Sequence, residues 1–147
     1  MAKIFIREMR ESDIHEVLDI EHMSFNTPWS ETTFYNEIYH PFSIARVAFA
    51  GEKLVGYICA NQVIDEGHIL NLAVHPDYRR RGIASALVED ILKELKDCAC
   101  RVLYLEVRIS NHAARKLYEG FGFKVVGIRK CYYVSPVEDA VVMMLEM

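Results

Sequence analysis

Short stretches of alternating hydrophobic and polar residues lie between stretches whose hydrophobic residues recur every three or four positions. Near the amino terminus, Ile4 and Ile6 alternate with polar neighbours, which predicts a first strand. The hydrophobic positions from Ile14 onward recur at helical spacing, so a helix is predicted to follow. Ser12 is predicted to cap this helix, and Glu21 is predicted to point outward from it.

A second helix and a pair of strands are predicted next along the chain. Ser30 follows a loop and can cap a helix that presents Phe34 on one face. Residues 44–50 and 53–62 are rich in β-forming residues and flank a Gly-Glu pair, which predicts a hairpin. The remaining predicted elements are, in chain order, a strand over 66–75, a helix from Ile83, a strand over 102–108, a helix over 111–121, and strands over 123–134 and 139–146.

The predicted order of elements is β-α-α-β-β-β-α-β-α-β-β. No linker rich in proline, glycine or serine divides this sequence, and it contains no internal repeat or low-complexity segment. We therefore expect one α/β domain over residues 1–147, built on a single mixed sheet.

Composition and charge limit the classes of function. The chain has 147 residues, of which 52% are hydrophobic and 26% charged, as expected of one globular domain. Its formal net charge of −4 argues against bulk nucleic-acid binding, which usually needs a broad basic face. The apolar run from Met1 to Glu8 is too short for a signal sequence, and no stretch approaches the ~20 apolar residues that span a bilayer. We expect a cytoplasmic protein without a membrane partner.

Cysteine and histidine spacing gives no indication of a metal site. The four cysteines form no paired C-x-x-C sets and have no histidines at zinc-site spacing, so reduced thiols are expected. The six histidines are scattered, and none lies at ligand spacing from another. They are interpreted as surface or core residues, and no metal is expected.

A basic turn before the helix from Ile83 is the strongest candidate binding site. Arg79, Arg80 and Arg81 precede Gly82, and the helix behind them has one apolar stripe. The first turn of a helix leaves backbone N–H groups unpaired and carries the positive end of the helix dipole. Because Gly82 lacks a Cβ, an anion such as a diphosphate could approach the main chain closely there. The alternative is an ordinary helix start beside a solvated basic turn.

A carboxylate and a phenol are the candidate acid–base groups. Glu106 lies in the middle of the strand over 102–108, where it is either solvated on an open face or functional. Asn111 can cap the next helix. Ala114 and Tyr118, three and seven residues further on, then lie on the same face of that helix as Asn111. The carboxylate and the phenol could then converge, although an aromatic residue at helical spacing usually packs in a core.

The basic turn resembles the coenzyme A signature of the GCN5-related N-acetyltransferase (GNAT) family. That signature is glutamine or arginine, two residues, glycine, one residue, then glycine or alanine, and here it is Arg79-x-x-Gly82-x-Ala84 after the strand 70–74. The G-x-G-x-x-G and Walker motifs of nucleotide-binding proteins are absent. The resemblance runs nearly end to end, and it implies a mixed, mostly antiparallel central sheet flanked by helices, with acetyl-CoA as co-substrate.

Two further blocks look like those of the bacterial ribosomal-protein-alanine N-acetyltransferases within this family. Residues 105–114 match L-E-V-R-x-S-N-x-x-A, and residues 117–123 match L-Y-x-x-x-G-F. This resemblance implies that Glu106 is the general base and Tyr118 the general acid. The cofactor-binding residues it implies are Leu72, Ala73, Val74, Arg79, Arg80, Arg81, Gly82, Ile83, Ala84, Ser85 and Asn111.

Two segments resemble those that contact the acceptor in amino-terminal acetyltransferases. Pro28 and Trp29 lie in the loop between the first two helices, and Tyr132 and Tyr133 lie in the closing hairpin. Trp29 could equally be a core residue. Because Tyr132 and Tyr133 are adjacent on a strand, only one of them is expected to face the acceptor.

The resemblance implies transfer of an acetyl group to the α-amine of a protein, with the amino-terminal alanine of ribosomal protein S18 as the expected acceptor. A carboxylate can deprotonate an amine whose pKa is near 8, and a phenol can protonate the departing thiolate. A β-bulge near Leu72 to Val74 is expected to supply N–H donors to the thioester oxygen. The alternatives are acetylation of a lysine or a small amine, and a coenzyme A-binding regulatory module without turnover.

Overall fold

The computed structural model describes residues 3–147, so the first two residues of the amino-terminal run considered above lie outside it. The element order is the one predicted from the sequence. The strands and helices are β1 (Ile4–Glu8), α1 (Ile14–Ser24), α2 (Glu31–Tyr39), β2 (Ser43–Ala50), β3 (Lys53–Val63), β4 (Glu66–Val74), α3 (Ile83–Asp97), β5 (Val102–Arg108), α4 (His112–Gly120), β6 (Lys124–Val134) and β7 (Val137–Glu146).

All seven strands form one sheet in the order β1-β2-β3-β4-β5-β7-β6. Only the β4–β5 pair is parallel, and the other neighbours are antiparallel. The prediction of a mixed, mostly antiparallel sheet is therefore confirmed. Within residues 3–147, no helix combines the length and apolarity that a membrane span requires.

The two central strands separate partway along their length. β4 and β5 pair only over residues 66–68 and 102–104, and beyond that point they diverge. On its other side, β4 pairs Asn71 with Cys59 and Ile69 with Ala60, so Leu70 is an extra residue that forms a bulge. The bulge was expected near Leu72 to Val74, and it lies two residues earlier. Leu70 lies where the two strands diverge and lines the cavity between them.

The sheet separates two buried clusters, because successive residues of a strand point to opposite faces. On β3, Ile58 belongs to a cluster built on α3, whereas its neighbour Tyr57 belongs to a cluster built on α1 and α2. The first cluster also contains Tyr118 of α4. Helices therefore cover both faces of the sheet and fix its central strands.

The start and the buried face of α1 differ from the sequence prediction. A short turn, Glu11–Asp13, precedes the helix, and the Asp13 carboxylate, rather than Ser12, accepts the Arg10 backbone N–H at 2.8 Å. Glu21 is only 1% exposed, so the prediction that it points outward is wrong. Because Glu21 lies seven residues after Ile14 and four after Val17, helical periodicity itself places it on the buried face.

Two other local predictions, the cap of α2 and the β2–β3 hairpin, are confirmed. Ser30 Oγ accepts the backbone N–H of Thr33 at 3.2 Å, which caps α2. The hairpin between β2 and β3 turns at Gly51, whose φ of +63° is in the left-handed region that glycine adopts at little cost. The four cysteines are all free thiols.

Candidate active site

A cavity of about 560 Å³ lies where β4 and β5 separate. Its walls come from both strands, from the loop between α1 and α2, from one face of α4 and from the β6–β7 hairpin. The residues discussed below that line it are Glu21, Asn26, Thr27, Trp29, Asn71, Leu72, Glu106, Arg108, Asn111, Tyr118, Tyr132 and Tyr133. The sequence-predicted acid and base therefore share one cavity, and both acceptor segments reach it.

Glu106 is a buried carboxylate with one oxygen engaged. Its side chain is 8% exposed, and its Oε2 lies 2.6 Å from Nε2 of His68 on the neighbouring strand. The guanidinium of Arg129 lies 3.9 Å from Oε1, beyond hydrogen-bond range. The alternative of a solvated carboxylate on an open face does not fit this environment. Oε1 has no hydrogen bond among the described residues, so it can accept one from a substrate.

Tyr118 both packs in the core and lines the cavity. Its ring contacts Phe123 at a centroid distance of 5.4 Å, and the residue is 5% exposed. Burial, together with the neighbouring Tyr133, raises the pKa of Tyr118 above its usual value of 10. The phenol therefore stays protonated at neutral pH and can act as a proton donor. Asn111 caps its helix as predicted, accepting the Ala114 N–H at 3.1 Å.

The start of α3 has the open geometry expected of an anion site. Gly82 is the N-cap residue with φ +79°, and no atom lies within 4 Å of where its Cβ would be. The first hydrogen bond into the helix runs from Ala86 N–H to the Gly82 carbonyl at 3.0 Å. The N–H groups of Ile83, Ala84 and Ser85 therefore precede the helical ladder and are available to a ligand.

The three arginines of this turn are not equivalent. Arg79 turns back toward the sheet, where its Nε donates to the Val74 carbonyl at 3.1 Å. The guanidinium of Arg81 stacks on the ring of Tyr78 at 5.0 Å, and Arg80 is exposed with φ +63°. Arg79 is therefore hydrogen-bonded to the end of β4, whereas no side-chain hydrogen bond or ion pair engages Arg80 or Arg81 among the described residues. None of the three lines the cavity between the strands.

The acceptor segments differ from expectation in two respects. Both Tyr132 and Tyr133 line the cavity, so the prediction that only one would do so is wrong. The reason is an irregularity in β6: Arg129 pairs with Ala140 and Tyr133 with Glu138, so three residues of β6 face the single residue Asp139 of β7. These extra residues break the alternation and bring the two rings together edge to face at 5.1 Å.

The α1–α2 loop also contributes to the wall. Trp29 lines the cavity and packs on the buried Phe34 at 5.2 Å, so it serves both roles considered for it. Pro28 is adjacent but is not part of the wall, whereas Asn26 and Thr27 are.

Hydrogen bonds hold the β6–β7 hairpin over the cavity, and the sequence did not indicate them. Arg108 donates to the carbonyls of Ser135 and Pro136 at 3.1 and 2.9 Å and to Glu138 at 3.1 Å. The other Glu138 oxygen accepts the Ser110 N–H at 2.7 Å, and hydrogen bonds from Ser110 and Arg108 lower the pKa of this carboxyl. Asn26 of the opposite loop donates to Ser135 at 3.3 Å. The hairpin and the loop therefore form a roof over the opening.

Three other residues of the site were not identified from the sequence. Glu21, Asn71 and His68 carry no motif, and each acts through a contact between residues distant in the chain. Helical spacing could have placed Glu21 inward, as described above. For His68 no signal was available, because its partner is 38 residues away on another strand.

Comparison with known proteins defines the class. A family model described as the acetyltransferase (GNAT) family matches residues 14–123. A protein of Escherichia coli (strain K12) named ribosomal protein bS18-alanine N-acetyltransferase is 37% identical over 145 residues, covering 95% of each chain. A protein of Bacillus subtilis (strain 168), whose name assigns it the same activity provisionally, is 39% identical over 143 residues, covering 97% of this chain and 95% of its own.

A solved structure agrees with these relatives. The crystal structure of the ribosomal-protein-S18-alanine N-acetyltransferase from Escherichia coli superimposes with a TM-score of 0.91 at 34% identity, covering 98% of this chain and 94% of that one. The fold and the relatives are those of an acetyl-CoA-dependent N-acetyltransferase. This chain belongs to the GNAT family of acetyltransferases.

Proposed function

We propose that this enzyme transfers the acetyl group of acetyl-CoA to the α-amine of a protein, and that its acceptor is the amino-terminal alanine of ribosomal protein bS18. The names of the relatives support this acceptor. The observation that carries the proposal is the roofed cavity, in which Arg108 and Asn26 hold the hairpin over the opening that contains Glu106. A roofed slot favours an extended chain terminus, whereas a lysine stem entering from the middle of a chain needs an open trough.

Acetyl-CoA is proposed to bind across the start of α3 and the separated part of β4. The N–H groups of residues 83–85, together with Arg80 and Arg81, form the site for the diphosphate. Beyond residue 68, the edge of β4 that faces β5 has no ladder partner, so its backbone can pair with the amide groups of the cofactor. Asn111 and Leu72 line the cavity, and they are proposed to contact the acetyl end of the cofactor.

The acid and base have separate tasks in the proposed reaction. The acceptor ammonium, with a pKa near 8, first gives one proton to Oε1 of Glu106, and that proton later leaves to solvent. The free amine attacks the thioester carbon, and backbone N–H groups of β4 near the bulge stabilise the oxyanion. As the C–S bond breaks, Tyr118 protonates the sulfur, and it recovers its proton from the nitrogen of the new amide.

His68 supports the base in this scheme. By occupying Oε2 at 2.6 Å, it fixes the carboxylate plane and leaves Oε1 to the acceptor. His68 does not line the cavity and therefore acts through Glu106 and not on the substrate.

A peptide with the bS18 amino terminus and one internal lysine tests the proposal. Incubation with acetyl-CoA should release free CoA, and mass spectrometry should place the acetyl group on the first residue. The same peptide with its amino terminus already acetylated is the control, and it should give no turnover because the nucleophile is gone. Acetylation of the lysine, or faster turnover of a polyamine, would assign the enzyme to a different acceptor class. Absence of turnover with every amine would favour a regulatory module.

A further inference from the structure

Glu21 is a buried carboxylate on the cavity wall that the acid–base chemistry does not use. It is 1% exposed, and both of its oxygens are engaged. Oε1 accepts hydrogen bonds from the Tyr57 hydroxyl and from Nδ2 of Asn71, the latter at 2.8 Å. Oε2 accepts the backbone N–H of Trp29 at 2.8 Å. One side chain of α1 therefore joins β3, β4 and the loop that contacts the acceptor.

The surroundings of this carboxylate are unusual for a purely structural role. Within the part of the chain that the structure describes, no lysine, arginine or histidine forms an ion pair with Glu21. Burying a carboxyl group without a cation is unfavourable unless hydrogen bonds compensate, and an apolar residue would avoid that cost. Burial and the adjacent Glu21 raise the pKa of Tyr57 well above its usual range, so its hydroxyl remains a donor.

The contact with Trp29 is the one that reaches the acceptor site. The Trp29 N–H belongs to the loop between α1 and α2, which has few regular backbone partners of its own. Its ring packs on Phe34 at 5.2 Å and forms part of the cavity wall. Because Oε1 is fixed to the sheet through Asn71 and Tyr57, Oε2 holds this loop at a set distance from β4.

We propose that Glu21 is a positioning residue that holds the Trp29 wall close to β4 and thereby restricts the first side chain of the acceptor to small residues. This inference rests on the proposed function, because it assumes that an amino-terminal residue enters the cavity. Without the Oε2 contact, the loop can move outward, and the enlarged pocket accepts a longer first side chain. Discrimination by pocket size alone is modest, so its loss can be measured as a change in selectivity.

Two matched variants test the contacts that Glu21 makes to the loop and to β4. Tyr57→Phe removes one donor to Oε1 but leaves the contacts to Asn71 and Trp29, so it is the reference protein. Adding Glu21→Met to Tyr57→Phe removes the carboxylate that accepts the Trp29 N–H. Because residue 57 is then phenylalanine, no buried tyrosine hydroxyl is left unpaired. If the double variant does not fold, Glu21→Gln is the second choice. The glutamine carbonyl can accept hydrogen bonds from Tyr57 and Asn71, whereas its NH2 group is a donor and cannot accept the Trp29 N–H.

The measurement is the ratio of kcat/KM for two bS18-type peptides that begin with alanine and with leucine. This ratio is independent of the fraction of folded enzyme, so a merely structural role would not change it. We expect the ratio to fall by roughly fivefold or more relative to Tyr57→Phe, with acetyl-CoA affinity unchanged. An unchanged ratio overturns the inference. A wild-type enzyme that does not prefer the alanine peptide overturns the proposed function, and the inference with it, before any variant is compared.

The loop position has an independent probe, because Trp29 is the only tryptophan of the chain. Acrylamide should quench its fluorescence more strongly in Glu21→Met/Tyr57→Phe than in Tyr57→Phe. Equal quenching in the two proteins would show that Glu21 does not hold the loop, whatever the acceptor is. Stronger quenching with an unchanged peptide ratio would show an anchored loop that does not set selectivity, which also overturns the inference.

Discussion

The roles proposed for Glu106 and Tyr118 follow from their surroundings. Glu106 has a polar partner, His68, on one oxygen and a second oxygen free of hydrogen bonds among the described residues, so it can accept a proton. Tyr118 is buried against Phe123, and burial keeps its phenol protonated. A base and an acid of different chemistry can therefore operate in one cavity at the same pH.

Substitutions that preserve size test these roles. Glu106→Gln and Tyr118→Phe each remove a proton-transfer group, so each should lower kcat by roughly 10²-fold. Calorimetric titration should show acetyl-CoA affinity close to that of the wild type, because neither group is assigned to the cofactor. If Glu106→Gln kept its kcat across the pH range in which the amine titrates, the base would have to be another residue or water.

The raised pKa of Tyr118 predicts the shape of the pH profile. Raising the pKa of an acid extends its protonated form to higher pH, so Tyr118 remains a donor above its usual value of 10. The rate should increase as the acceptor amine, with a pKa near 8, loses its proton, and it should show no Tyr118-linked decline below about pH 10. Steady-state rates from pH 6 to 10 test this. A descending limb near pH 9 that disappears in Tyr118→Phe would contradict it.

At the scale of residues, the sequence identified the groups that lie in motifs and missed those that act through distant contacts. Glu106, Tyr118 and Asn111 were placed by strand alternation, by helical spacing and by recognisable blocks, and the cavity contains all three. His68 could not be found, since no local pattern shows which residue of one strand faces a given residue of the next. Glu21 was misplaced because a charged residue was assumed to be exposed, although its spacing indicated the buried face.

At the scale of elements, boundaries were predictable where the local chemistry is decisive. Ser30 and Asn111 cap their helices through their own side chains, and both caps were predicted. The irregularities of β4 and β6 were harder, because a bulge depends on pairing with the neighbouring strand. The bulge in β4 was expected in the right strand but two residues too late. The irregularity in β6 was not expected, which is why the orientation of Tyr132 and Tyr133 was wrong.

The start of α3 offers a matched test of the cofactor site. Gly82 and Gly51 have φ values of +79° and +63°, and neither has an atom within 4 Å of an added Cβ. Alanine at either position should therefore cost a similar strain of about 1 kcal/mol in the free energy of unfolding. Only Gly82→Ala places a methyl group at the proposed diphosphate site, so acetyl-CoA affinity should fall about tenfold there and remain unchanged in Gly51→Ala.

Thermal unfolding and calorimetric titration of the two alanine variants separate strain from binding. Similar losses of stability with a selective loss of acetyl-CoA affinity at Gly82 are expected. Equal affinities in both variants would remove the start of α3 from the cofactor site.

At the scale of the whole molecule, the proposed function has both substrates meet in the cavity between β4 and β5. Glu106 and Tyr118 line this cavity, whereas the proposed diphosphate site at the start of α3 lies outside its wall. Both substrates can be bound together, so the acetyl group can pass directly to the amine. A transfer through the protein would instead need a nucleophile on the cavity wall.

The cysteines show no sign of such a nucleophile. Within residues 3–147, no cysteine lines the cavity. Cys59 and Cys100 are buried, and burial raises the pKa of each thiol, which disfavours the reactive thiolate. Cys98 follows α3, and Cys131 lies in the irregular part of β6, where its backbone N–H donates to Asp139 at 2.8 Å. An acetyl-cysteine intermediate is therefore not expected.

Direct transfer predicts intersecting double-reciprocal lines when both substrates are varied, because both must be bound before either product leaves. Incubating the enzyme with acetyl-CoA alone should add no acetyl group to its intact mass, and Cys131→Ser should keep the wild-type kcat. Parallel lines, together with an acetylated enzyme that passes its acetyl group to a later-added alanine peptide, would require a covalent intermediate. In that case the base would activate a protein nucleophile in a first step, and Glu106→Gln would abolish acetylation of the enzyme as well as of the peptide.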